Sequence, residues 1–137
     1  MPYEIQFVRK VEVRDPDRYF NECCVGGDVV VDRLLPSIRD RYLNVWTNQE
    51  DWGWFIWFRK GPVKLAVDIF CDDPGRGAYR IHLTSRKKRW ILFEAVSDEP
   101  ELEALRDLVV GLIEAWAGGP CQVQRLDRNY RPVRPSG

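Results

Sequence analysis

The single histidine of the chain, His82, comes to lie beside Asp68 if strands through 63–71 and 78–85 run antiparallel. A carboxylate next to an imidazole orients the ring and raises its pKa, the basis of acid/base catalysis. Gly53 on the preceding strand would leave space above the pair. No nucleophile or oxyanion donor accompanies it, so the pair reads first as a structural cross-strand contact.

Two acidic pairs, Glu50-Asp51 and Asp72-Asp73, border strand ends on the same side of that sheet. Four carboxylates suit a hard cation, but Asp72-Asp73-Pro74-Gly75 is also ordinary turn chemistry. Arg86, Lys87, Lys88 and Arg89 form a run of cations which, with Phe55, Trp57 and Trp90 nearby, offers phosphate contacts and base stacking. The cysteines Cys23, Cys24, Cys71 and Cys121 have no CxxC spacing, which argues against a zinc site and for free thiols. Glycine-rich nucleotide loops and GxSxG or HExxH motifs are absent. No cofactor is expected.

These residues must be positioned by a 137-residue chain that is 45% apolar and 31% charged, the composition of a folded domain. Its 21 basic and 21 acidic residues cancel, so no global field draws it to nucleic acid or membrane, and any electrostatic function is local. The N-terminus has no signal-peptide pattern, and no run approaches the ~18 apolar residues of a membrane span. A cytoplasmic protein without membrane contact is expected.

Residues 3–13 alternate like a half-buried strand, ended by Asp15-Pro16-Asp17. Val31, Leu35, Ile38 and Tyr42 space as a helix over 28–42, with Asp28 as N-cap and Pro36 as a kink or a break into two short helices. Strands are expected at 52–59, 63–71, 78–85 and 89–96, the last two joined by a turn at the basic run. A helix over 99–117, with Asp98 as N-cap, carries a stripe of Leu102, Leu105, Leu108, Val109, Leu112, Ile113 and Trp116, and Gly118-Gly119-Pro120 stops it. A short strand follows at 121–126. The expected fold is α+β: one domain over 1–126 with a mainly antiparallel sheet of five or six strands on the C-terminal helix, a second helical segment after the first strand, and an Arg/Pro-rich flexible tail at 127–137.

The stretch Trp52-Gly-Trp-Phe-Ile-Trp-Phe58 puts aromatics on both faces of a strand. A Lys60-Gly61 loop pairs Phe58 with Val63, Ile56 with Leu65, Trp54 with Val67 and Trp52 with Ile69. Val67 then pairs with Leu83, Ile69 with Ile81, Leu83 with Ile91 and Ile81 with Phe93, which gives one apolar face. The other face is mixed, in rows of Trp57, Lys64, Arg86; Phe55, Ala66, Thr84, Trp90; Gly53, Asp68, His82, Leu92; and Phe70, Arg80, Glu94. Either the helix over 28–42 or the first strand covers this face, or it is open and binds a partner.

The candidate binding residues are therefore Phe55, Trp57, Lys64, Asp68, Phe70, Arg80, His82, Arg86, Lys88 and Trp90. Aromatics and arginine favour another protein as partner, in the manner of a small bacterial adaptor or toxin-neutralising protein. A homodimer through the same face is a related expectation. Single-stranded nucleic acid is the alternative, and a hydrolase or metal-dependent enzyme built on Asp68/His82 or the acidic loops is the third.

Overall fold

The computed structural model describes residues 1–13, 15–90, 93–96 and 98–133, with backbone only at 88–90 and 93–96. Its elements run β1 (Tyr3–Val8), α1 (Gly27–Arg41), β2 (Leu43–Glu50), β3 (Gly53–Lys60), β4 (Val63–Asp73), β5 (Ala78–Trp90), β6 (Phe93–Val96), α2 (Pro100–Ala117) and β7 (Gln122–Arg125). Short 3-10 turns at Pro16–Arg18 and Glu22–Cys24 precede α1. The strands form one antiparallel sheet ordered β2-β3-β4-β5-β1-β7, with β6 pairing the far half of β5. The fold is α+β, as the alternating and helical periods require.

Both helices pack on the same face. Val30, Val31, Leu34 and Ile38 of α1 and Leu102, Leu105, Val109 and Ile113 of α2 join Ile5, Ile56, Leu65, Val67, Ile69, Ile81 and Leu83 in one core. Neither α1 nor β1 covers the mixed face: α1 lies beside α2, and β1 is itself a strand of the sheet. Pro36 does not break α1. It is exposed, so the carbonyl that loses its N–H partner faces water. Asp28 is not the N-cap, which is Gly26. Instead its carboxylate accepts from Tyr19 at 2.7 Å and pairs with Arg18 at 2.8 Å. The N-cap of α2 is Glu99 rather than Asp98, and Asp98 pairs with the N-terminal ammonium and with Arg125.

Three pairings depart from the sequence-based register. Phe58 faces Leu65, Ile56 faces Val67 and Trp54 faces Ile69, a two-residue shift because Gly61-Pro62 rather than Lys60-Gly61 makes the turn. An even shift preserves the faces. Strand β5 runs through the basic stretch to Trp90 instead of turning there, and β1 takes the place expected for the fourth hairpin strand, pairing Tyr3 with Leu83 and Ile5 with Ile81. Glu94 consequently lies opposite Lys88, not Arg80; Ile91 and Leu92 lie outside the described residues. Finally, Leu43–Glu50 forms an edge strand where none was expected, and the first strand stops at Val8.

Candidate functional site

The corrected register rebuilds the mixed face. Trp57 lies opposite Ala66, which lies opposite Thr84, while Arg59, Lys64 and Arg86 share the next row. Phe55, Asp68, His82, Glu4 and Gln124 form a row across five strands. Phe70 and Arg80 are paired as expected. Trp52 is not a core residue: it sits in the turn before β3, with its ring 5.2 Å from Phe70.

One end of this face is closed by its own chain. His82 Nε2 lies 3.0 Å from Glu4 Oε1, so the ring donates to that carboxylate, since the neighbouring Arg80 Nη1 at 3.2 Å is itself a donor. Glu4, which the sequence did not single out, thus orients the imidazole in place of Asp68. Gln6 at 3.1 Å and Gln124 also donate to Glu4. Burial opposes the Glu4 charge, but the hydrogen bonds from His82, Gln124 and Gln6 outweigh it and hold the carboxyl below its ordinary range. Arg80 grips Asp72 through two bonds of 3.1 and 3.3 Å and lies over Phe70.

The His82 ring is flanked by Phe70 at 5.0 Å and by Tyr130 stacked at 5.6 Å. Tyr130 is presented by a turn in which Asp127 accepts from the Asn129 and Arg131 backbones. Residues 127–133 fold back on β7, with Val133 N bonded to Arg125 O at 3.0 Å; residues 134–137 lie outside the described residues. A hollow of about 720 Å³ adjoins this end, but its charged side chains Glu4, Asp72 and Arg80 already satisfy one another.

The other end is open. A groove of about 470 Å³ lies over Ala66 and Thr84, walled by Trp46 and Trp57 and bordered by Arg59, Lys64, Arg86 and Asp68. Phe55 is fully buried beneath the walls, 4.0 Å from the Trp57 ring in a stack and 4.9 Å from Trp46 edge-on. The indoles remain 55% exposed at Trp46 and 40% at Trp57. Trp46 escaped the sequence reading because its strand is polar; the indole pair is its only signal. The side chains of Lys88 and Trp90 lie outside the described residues, but the β5 backbone carries Trp90 six residues beyond Thr84, away from Phe55.

Asp68 forms the groove's polar end. It accepts from Trp57 Nε1 at 3.1 Å. Burial raises its pKa, and the Trp57 bond, His82 and Arg86 offset this only in part. A carboxyl with a raised folded pKa favours the fold when protonated, and this contribution is lost as pH rises through the folded value. Asp68→Asn, which can still accept from Trp57, is therefore expected to melt higher than the wild type at pH 7, with the gap closing below about pH 4. Thermal melts at the two pH values check this; a less stable variant at pH 7 would contradict it. A residue that costs stability beside a groove is a candidate for function.

Among the described residues, no three histidine, cysteine, aspartate or glutamate side chains converge as a metal-ligand set, and no helix is long and apolar enough to cross a membrane. Comparisons with protein-family models, curated proteins and solved structures returned no match, so the functional reading rests on the geometry of this face.

Proposed function

We propose that the protein is a non-enzymatic binding module whose groove takes an extended, carboxylate-rich segment of another protein. The observation that carries this reading is the pair of exposed indoles, Trp46 and Trp57, flanked by Arg59, Lys64 and Arg86 on a face that neither helix covers. Large rigid rings supply contact area at low entropic cost, and tryptophan and arginine are the side chains that carry most interface energy. Among the described residues, Arg59 and Arg86 border the groove beside a single carboxylate, Asp68, whose charge burial disfavours. That imbalance selects an acidic partner. A cytoplasmic adaptor or toxin-neutralising protein of bacterial type would use such a groove.

Single-stranded nucleic acid is the second reading, because the same rings and cations suit bases and phosphates. The neutral chain as a whole gives it less support. An acid/base role for His82 is disfavoured by the Phe70 and Tyr130 rings that shield it and by its bond to Glu4.

Selection from a displayed random-peptide library tests the proposal. The expected consensus alternates acidic with aromatic or aliphatic residues, and its binding drops at least tenfold in a folded Trp57→Ala, Arg86→Glu variant. Peptides without acidic residues, or undiminished binding to the variant, would refute it. Tight binding of a single-stranded oligonucleotide with a steep salt slope would favour the second reading.

A further inference from the structure

Cys23 and Cys24 are joined by a disulfide, whereas free thiols were expected; Cys71 and Cys121 are free. Disulfides stabilise chiefly by closing a chain loop in the unfolded state. A bond between sequence neighbours closes none, so its value lies in local chemistry. The two sulfurs also differ in access: Cys24 has no exposed surface, and Cys23 is half-buried.

The surrounding segment is strapped to the β2–β3 connection. Phe20 N donates to Gln49 Oε1 at 2.8 Å, Gln49 Nε2 donates to Arg18 O at 3.0 Å, and Trp54 Nε1 donates to Cys24 O at 2.8 Å. Cys24 Sγ sits 3.1 Å from the carbonyl oxygen of Glu50, the last residue of β2, and Cys23 Sγ lies 3.8 Å from the same atom.

We propose that Cys23–Cys24 is a redox-active site that exchanges with dithiol reductants and reports its state to the β2–β3 hairpin through Glu50 and Trp54. A thiolate of the dithiol attacks Cys23 Sγ, the reachable sulfur. The S–S bond breaks, and its electron pair leaves on Cys24 Sγ, which takes a proton. The second thiol of the reductant then displaces Cys23 from the mixed disulfide. One disulfide is broken in the protein and one formed in the reductant, and two electrons and two protons move to the protein. In the disulfide neither sulfur has a proton to donate; in the dithiol form two S–H groups face the Glu50 carbonyl. Reduction therefore adds donors where the strap meets the sheet while releasing the ring that fixes the Cys23–Cys24 backbone.

The test uses the full chain equilibrated in air. Thiol titration in denaturant is expected to give two thiols, those of Cys71 and Cys121, rising to four after dithiothreitol, with a mass gain of two hydrogens. Tryptophan emission should change with the same dependence on the ratio of reduced to oxidised dithiothreitol, reversibly. A Cys71→Ser, Cys121→Ser variant should keep the transition, and Cys23→Ser should lose it. Four titratable thiols in the air-equilibrated protein, or a transition that survives in Cys23→Ser, would overturn the site. An unchanged emission across a complete thiol transition would overturn the link to the hairpin.

Discussion

Replacing Phe55 with alanine is expected to cost about 3–5 kcal/mol of stability, as large a loss as truncating a residue of the helix-covered core. Phe55 belongs to the face that no helix covers, yet it has no exposed surface because Trp46 and Trp57 close over it. Trp57→Ala should cost less, about 2–3 kcal/mol, the scale of two aromatic contacts, to Phe55 and Trp46, and one hydrogen bond. Urea unfolding of both variants, followed by circular dichroism, measures the difference. Two buried rings would give similar losses, and two solvated rings would give none. The expected ordering separates a ring that supports the groove from a ring that lines it.

Gly53→Ala is expected to be comparably damaging, at about 3 kcal/mol or more. A Cβ at Gly53 would lie 2.1 Å from the carbonyl oxygen of Ile69, a backbone atom of the neighbouring strand that cannot move without disturbing the sheet. Only a bare α-carbon lets β4 approach so closely where β3 starts, directly after the turn that sends Trp52 to Phe70. Gly111→Ala is the control. It lies exposed in α2, its added methyl would meet nothing within 4 Å, and it should gain about 0.5–1 kcal/mol from helix propensity. Equal effects at the two positions would show that Gly53 is not held by the Ile69 carbonyl.

The sequence carried the β4–β5 pairing because both strands alternate without interruption and a slip of one residue would bury Asp68 and Arg80 in the core. It carried the two faces of β3 for the same reason, even though the turn was placed one residue early, which shifts the pairing by two. Edge strand β2 was illegible: Leu43-Asn-Val-Trp-Thr-Asn-Gln-Glu50 has no apolar alternation, since only one neighbour and half a face are covered. The basic run did not stop β5, because arginine and lysine in a strand need only solvent on their side chains, not a turn. The pairing of His82 with Glu4 was out of reach, because it depends on β1 inserting beside β5 across 78 residues of chain. Half of the candidate site was thus visible as Phe55, Trp57, Lys64, Asp68 and Arg86, and its second wall, Trp46, arrived with the unrecognised strand.

The partner is expected at the open end of the mixed face, not on the helix-covered side. The most direct measurement is a titration of the isotopically labelled protein with a selected acidic peptide, reading the indole N–H resonances. The Trp46 and Trp57 signals are expected to shift in proportion to occupancy, with the Trp57 signal reporting any change in its bond to Asp68, while Trp54 and Trp116 stay in place. Shifts at Trp54 or Trp116 with Trp46 and Trp57 unmoved would put the binding surface elsewhere and rule this groove out.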